Sequence, residues 1–199
     1  QIVYRTVDKI TFHSEGGRNF LIAKKRVPAE KIAMVPNWID FAPFEKLTNP
    51  ISFRAQWALP DKFLILFAGI LGPAQGAEFI VEVAKRVADL KDVVFLLVGD
   101  GMEKPKVEQF VKEHHLQNII LKPFVSKDEY PSLVEDSDLG LVCLSNKNKT
   151  PFVPGKFLGY MAAGKPVLAF LNKESDGFHL MREAHCGEVV ESGDIEGAV

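Results

Sequence analysis

The sequence predicts an α/β fold, a Rossmann-like doubly wound parallel sheet with helices on both faces. Three features lead there. From Asp61 onward, short apolar runs rich in β-forming residues recur, each is followed by a stretch with helical apolar spacing, and Gly- or Pro-containing turns separate the two. A strand covered on both faces loses the in-out alternation of a half-exposed one. Strand–helix–strand repeats of this length demand right-handed crossovers into a parallel sheet.

Lys9 to His13 reads as a strand and Ser14 to Lys25 as a helix, with Ser14 as N-cap and Lys24-Lys25-Arg26 suiting the negative end of the helix dipole. Ile32 to Val35 is a short strand, succeeded by Pro36-Asn37-Trp38-Ile39-Asp40. Thr48-Asn49-Pro50 punctuates the chain before a short helix around Phe53 to Trp57. Residues 1–42 are out of register with the later strand–helix alternation and read as the tail of a preceding domain plus a linker; residues 43–199 form the main domain. There, Lys62 to Ala68 is the first buried strand, and the Gly69 to Gly76 loop leads into a helix carrying Phe79, Ile80, Val83, Val87 and Leu90 at mostly three- and four-residue steps. Val93 to Val98 is the next strand, ending at Gly99-Asp100-Gly101. A helix from Glu103 to His115 takes Pro105 in its first turn, where the missing N–H costs little, and buries Val107, Phe110 and Val111. Asn118 to Leu121 (strand), Lys127 to Glu135 (helix), Leu139 to Leu144 (strand), Pro154 to Ala163 (helix), Pro166 to Phe170 (strand), Gly177 to Ala184 (helix) and Glu188 to Val190 (strand) complete the alternation. The first residues lack both a start methionine and a signal-peptide core and read as the middle of a longer product. Asp194 to Val199 reads as a helix truncated after its first turn.

Composition excludes several function classes. A net charge of −2 and a pI of about 6.2 are not the basic footprint of a nucleic-acid binder. The longest apolar runs, such as Phe63 to Ile70, fall well short of the roughly 20 residues of a spanning helix. Two cysteines make no disulfide framework: Cys143 lies in an apolar run and reads as a small buried hydrophobe, and a reducing, cytoplasmic setting is expected. No Cys/His spacing fits a metal site, and His114-His115 reads as a helix face.

In an open parallel sheet, ligands bind beyond the carboxyl ends of the strands, where strand order reverses. Three loops belong to that edge. Gly69-Ile-Leu-Gly72-Pro-Ala-Gln75-Gly76 lets backbone N–H groups approach an anion, and serves equally as a tight strand-to-helix turn. Gly99-Asp100-Gly101 presents backbone to a ligand or simply turns the chain, with Asp100 itself assigned to the turn. In Pro151-Phe-Val-Pro154-Gly155-Lys156, Pro154 opens a helix, Gly155 removes an obstructing side chain, and the amides of Gly155, Lys156 and Phe157 face outward beside the Lys156 charge. Together these suit a diphosphate. The spacing G-x-x-G-x-x-x-G, with Asp100 28 residues beyond Gly72, does not fit the dinucleotide fingerprint, and no P-loop motif occurs.

These segments, taken in order, resemble group 1 (family 4) glycosyltransferases of the GT-B fold. Ser14-Glu-Gly with Ile32-Ala-Met-Val-Pro36-Asn37-Trp38-Ile-Asp40 is similar to their S-E…I-x-V-I-P-N-G-V-D stretch, and Gly69 to Gly76 to their G-R-L-x-x-x-K-G loop. Leu97-Val-Gly99-Asp-Gly101 resembles V-G-D-G, and Asp136-Ser-Asp138-Leu-Gly-Leu resembles A-A-A-D-V-F-V. Val153-Pro154-Gly155-Lys156 through Met161-Ala-Ala-Gly164-Lys165-Pro166-Val167 is similar to V-P-S-K…M-A-A-G-K-P-V. The Gln75-Gly76, Asn37-Trp38 and V-P-x-K forms resemble the branch that builds cell-surface polysaccharides such as colanic acid and O-antigens, often from UDP-linked amino sugars.

The resemblance implies that residues 1–42 end an acceptor domain and that residues 43–199 hold a nucleotide-sugar donor, favouring UDP. It implies a saccharide or lipid-linked acceptor gripped by the other domain, retention at the anomeric carbon, no required metal or cofactor, and room for peripheral membrane association. Donor-binding positions are Gly69, Gly72, Gln75, Gly76, Gly99, Lys122, Pro154, Gly155, Lys156 and Phe157, with Lys122, Pro123 and Phe124 as candidates to line the base and Phe124 equally a core residue; no catalytic residue is assigned. Departures are clear: Ile70 and Gln75 replace an arginine and a phosphate-binding lysine, and Pro151 and Gly159 replace the two glutamates of the E-x7-E motif. The alternative reading is a non-catalytic nucleotide-binding or interaction module on the same fold. An epimerase of that fold needs carboxylates and histidines that this chain does not match.

Overall fold

A computed structural model describes residues 2–47 and 50–199; Thr48 and Asn49, part of the expected punctuation before the short helix, lie outside the described residues. The chain opens with a small unit of α1 (Ile2–Thr6), β1 (Ile10–Phe12), α2 (Glu15–Lys25) and β2 (Ile32–Met34). β1 and β2 pair in parallel, Ile10 opposite Ile32. Ser14 caps α2 as its sequence predicts: its Oγ accepts from the Gly17 amide at 3.3 Å. Leu21, Val27 and Ile32 form a separate apolar cluster inside this unit.

A linker carrying α3 (Ala42–Glu45) and α4 (Phe53–Gln56) leads to the main domain. It comprises β3 (Phe63–Ala68), α5 (Ala77–Arg86), β4 (Val93–Val98), α6 (Lys104–Glu113), β5 (Ile119–Lys122), α7 (Tyr130–Glu135), β6 (Leu139–Cys143), α8 (Lys156–Ala162), β7 (Val167–Leu171), α9 (Asp176–Ala184) and β8 (Gly187–Glu191). All six strands are parallel, in the order β5-β4-β3-β6-β7-β8. Successive residues of β3 serve opposite faces. Ile65 and Phe67 join the cluster with Ile80, Val81 and Ala84 of α5, while Leu66 joins the one with Phe157 and Tyr160 of α8. Both faces are covered, which is why the strands read as unbroken apolar runs.

Order reverses between β3 and β6, and there the sheet opens. Those strands share only the pairs Ile65–Leu139 and Leu66–Gly140, whereas β3 and β4 share six. Tyr160 of α8 fills the split. Its ring occupies the space a side chain at Gly140 would need, and its hydroxyl donates to the Leu66 carbonyl at 2.8 Å and accepts from the Ala68 amide at 3.3 Å. Backbone groups that lose their strand partner thereby keep a bond.

At the opposite edge Arg54 binds the carbonyls of Asp136 (2.9 Å), Pro60 (3.2 Å) and Lys62 (3.0 Å) and the carboxylate of Asp138 (2.8 Å). Asp138 also accepts from the Leu64 amide at 2.7 Å, so the Asp136-Ser-Asp138 segment ties α4 to the start of β3.

Some sequence boundaries shift. The helix expected through Leu90 ends at Arg86, and Leu90, 52% exposed, lies in the turn into β4 with its carbonyl bound by the Val93 amide. The helix expected from Lys127 is regular from Tyr130, residues 127–129 forming the turn that leads into it, and Ser126 and Glu129 close that turn reciprocally. The Ser126 amide donates to the Glu129 carboxylate at 2.9 Å and the Glu129 amide to the Ser126 hydroxyl at 3.3 Å. Those bonds hold the Glu129 carboxyl below its ordinary range.

Candidate functional site

The carboxyl ends of β3, β4 and β6 bring three sequence-distant loops together. The Gly69 to Gly76 loop runs through a 3-10 turn at Pro73–Gln75 into α5. Gly76 adopts φ 63° and ψ 40°, a left-handed conformation suited to glycine, and a Cβ there would lie 3.0 Å from Ser145 backbone. The Ser145 amide donates to the Ala74 carbonyl at 3.0 Å, fastening this loop to the end of β6 across the switch point. Gly72 is itself buried, yet among the described residues a Cβ there would meet Ile70 Cγ2 alone, at 3.5 Å. Gly99 packs edge-on against Gly69, whose carbonyl oxygen would strike any side chain at 99, and the Leu71 amide donates to the Asp100 carbonyl at 2.8 Å. Asp100 turns back to the Gly101 amide (2.7 Å) and an exposed pairing with Lys104.

Lys156 reaches into this group from the first residue of α8. Its Nζ donates to Gln75 Oε1 at 2.8 Å and sits 5.0 Å from the centre of the buried Phe67 ring. Its side chain lies across Gly69, where a Cβ would come within 2.6 Å of Lys156 Cε. Glycine at 69 is what lets the ammonium enter. Burial pushes the Lys156 pKa down from its ordinary value, and the Cys143 thiol beneath acts weakly in the opposite direction. Cys143 is fully buried, its Sγ 3.5 Å from the Gly76 carbonyl, and burial pushes its thiol well up. It is the inert buried hydrophobe its sequence context implies.

Residues around α8 divide into two groups. Gly155 is exposed, with nothing within 4 Å of where a side chain would project. Among the described residues the amides of Gly155 and Lys156 have no acceptor. The Phe157 amide departs from expectation: it donates to the Pro154 carbonyl at 3.3 Å, and the ring is buried in the core, so this residue is not outward-facing. Pro154 is likewise buried, against Gly177 of α9. At the far end of the rim, the Lys122 carbonyl accepts from the Gly99 amide at 2.9 Å and its Nζ lies 5.5 Å over the Trp57 ring, away from the Lys156 group. Phe124 is not core: it is 53% exposed and faces Gly99.

Gly159 has a physical reason to lack a side chain. The hydroxyl of Tyr130 occupies the space its Cβ would take, so no glutamate fits at 159. Tyr130, half-buried on α7, has its phenol pushed up to about 12 by burial, and its hydroxyl has no partner among the described residues. Spacing alone gave no sign of this residue. A finer signal existed: glycine in the middle of a helix implies a close neighbour.

The small unit touches the same loops. The Gly16 amide donates to Asp176 Oδ2 at 2.8 Å, the His13 ring meets Phe152 edge-on at 6.3 Å, and Asn37 Nδ2 donates to the Val153 carbonyl at 3.5 Å. Between the linker and α8 lies a cleft of about 410 Å3. A larger one of about 560 Å3, among basic residues of α2, belongs to the small unit alone. Among the described residues no three His, Cys, Asp or Glu side chains gather into a metal-binding group, and no helix is long and apolar enough to cross a membrane.

This split parallel sheet, with a glycine-walled rim that carries a lysine, is the architecture of nucleotide-binding α/β domains. The family model for glycosyl transferases group 1 matches residues 62–199, and the chain belongs to that family. WcaI of Escherichia coli (strain K12), whose name assigns it provisionally to colanic acid biosynthesis, is 32% identical over 161 residues, covering 79% of this chain and 39% of its own. The 2-deoxystreptamine glucosyltransferase of Streptomyces kanamyceticus is 26% identical, covering 81% of this chain and 42% of its own. The chain thus spans about two-fifths of these relatives. Among solved structures, Anabaena HepE in complex with UDP-glucose superposes with a TM-score of 0.79 at 20% identity, over 98% of this chain and 53% of HepE. WaaG, a glycosyltransferase involved in lipopolysaccharide biosynthesis, gives 0.76 at 17%, over 96% and 51%. These last two bear on the fold, which is that of one half of a GT-B enzyme.

Proposed function

We propose that this chain is the donor half of a glycosyltransferase and binds a nucleotide-diphosphate sugar, a UDP-sugar above others, at the rim formed by the Gly69 to Gly76 loop and the start of α8. The observation that carries this reading is the approach of Lys156 Nζ over Gly69 to Gln75. It is a desolvated cation with adjacent unpartnered amides at Gly155 and Lys156, which is what a departing diphosphate requires. In this reading Gln75 orients Lys156 through its carbonyl oxygen and keeps its amide N–H groups for a phosphate. Gly99 and Phe124 border the base, and Tyr130 takes up the volume of the glutamate absent at Gly159. The UDP-glucose held by HepE supports the choice of nucleotide.

Residues 1–42 are then the end of an acceptor domain, and residues 43–199 the donor domain. The sugar passes to a saccharide or lipid-linked acceptor in surface polysaccharide synthesis, with retention at the anomeric carbon and without a metal, at the cytoplasmic face of a membrane that the whole protein can touch peripherally. The relationship to WcaI supports that pathway class. A second reading, a binding module without catalysis, is favoured by the neutral Ile70 and Gln75 and by Pro151 and Gly159.

A thermal-shift panel of UDP, GDP, ADP and CDP tests the donor reading. Ligand at a hundred times its dissociation constant adds about 2.7 kcal/mol, roughly 5 to 10 °C for a chain of this size. UDP is expected to give the largest rise; no rise with any nucleotide contradicts the proposal. Sugar transfer by the full-length protein separates enzyme from module.

A further inference from the structure

We infer that Trp38 is the wall on which the hexosyl group of the donor stacks, and hence a determinant of sugar preference. This rests on the donor reading and deepens it. Trp38 is 81% exposed, and its neighbours Val35 and Phe41 are 50% and 55% exposed. Trp38 lines the cleft of about 410 Å3 bounded by Val35 to Ile39 on one side and by Gly155 and Leu158 on the other. That volume lies within the roughly 300–1,000 Å3 of small-molecule sites.

Gly155 belongs both to this cleft and to the phosphate-facing turn of α8. A sugar joined to the terminal phosphate of a diphosphate held at Lys156 and Gly155 is one bond from that phosphate, and the cleft that Gly155 lines is where we place it. The absent side chain at 155 leaves the passage open. A pyranose ring has one face of polarised C–H groups, which packs on the electron-rich face of an indole, and a rim of hydroxyls that need polar partners. Asn37 supplies one. Its Nδ2 is bound to the Val153 carbonyl at 3.5 Å, which ties the amide to the loop before α8, while Oδ1 has no donor among the described residues and is left to accept from a hydroxyl. An indole needs no buried pairing here, and its exposure outside the core means that replacing it leaves the sheet intact.

The experiment is a calorimetric titration of the chain with UDP, UDP-glucose and UDP-N-acetylglucosamine, repeated on Trp38→Ala and Trp38→Tyr. Wild type is expected to bind at least one UDP-sugar more tightly than UDP. Trp38→Ala is expected to lose that advantage, about three- to tenfold, with UDP affinity unchanged, and Trp38→Tyr to keep most of it. An undiminished advantage in Trp38→Ala, or no advantage in wild type, overturns this inference alone. Failure of wild type to bind UDP overturns the donor reading and this inference with it.

Discussion

Lys156 is a cation that folding has partly stripped of water, with Gln75 Oε1 as its hydrogen-bond partner. Desolvation favours the neutral amine, so its pKa falls, and an incoming phosphate restores the charge. A diphosphate binds the protonated form, so affinity is lost as pH rises through the depressed pKa, beginning below the ordinary lysine value. Titrating UDP across alkaline pH checks this, and Lys156→Arg should abolish the loss; a loss of the same form in that variant contradicts it. Gln75→Ala removes a neutral partner and should weaken UDP less than Lys156→Ala does, as competition calorimetry would read. The types and places of Gly69, Gln75, Gly155 and Lys156 were readable in the sequence. Which first-turn amide is already bonded was not, because the Phe157 amide turns back to Pro154 within a local 3-10 geometry that composition does not encode.

Among the elements, the split between β3 and β6 creates the crevice, and Tyr160 keeps it from costing unpaired backbone. Tyr160→Phe leaves the Leu66 carbonyl and Ala68 amide without that hydroxyl, and should lower stability by about 1–3 kcal/mol in urea unfolding. A change below a few tenths would contradict the role. Gly159→Glu forces a side chain into the Tyr130 hydroxyl and should cost about 1–3 kcal/mol, of which Tyr130→Ala recovers a part; additive losses in the double variant argue against the contact. Strand positions were legible because each strand is buried on both faces and reads as an unbroken apolar run. Helix starts were less so. The Ser126-x-x-Glu129 pair closes a turn over residues 127–129 before the regular helix begins, a distinction that the sequence pattern does not make. Leu90 was likewise drawn into α5 by its spacing, although the chain needs it to turn toward β4.

Across the whole molecule, the small unit and the main domain meet beside the rim. Asp176 at the start of α9 accepts from Gly16 at the start of α2, and Gly16 has no room for a side chain against that carboxylate. Two helix N-termini thus share one negative charge, which both dipoles favour. Asp176→Ala should speed hydrogen exchange at the Gly16 amide about ten- to hundredfold, the worth of a charged hydrogen bond; unchanged exchange would show that the contact does not hold the units together. The class of fold and the order of loops were readable from end to end. The contacts of Asp176, His13 and Tyr130 were not, since they join residues that no periodicity relates.

The central claim is that a diphosphate is held by Lys156 and the amides opening α8. Calorimetric titration of UDP onto the wild-type chain and Lys156→Ala, with the melting temperature of both recorded, tests it most directly. A single charged hydrogen bond of roughly 1.5–3 kcal/mol predicts affinity about ten- to hundredfold weaker in the variant, with melting little changed. Equal affinity in the two proteins would contradict it.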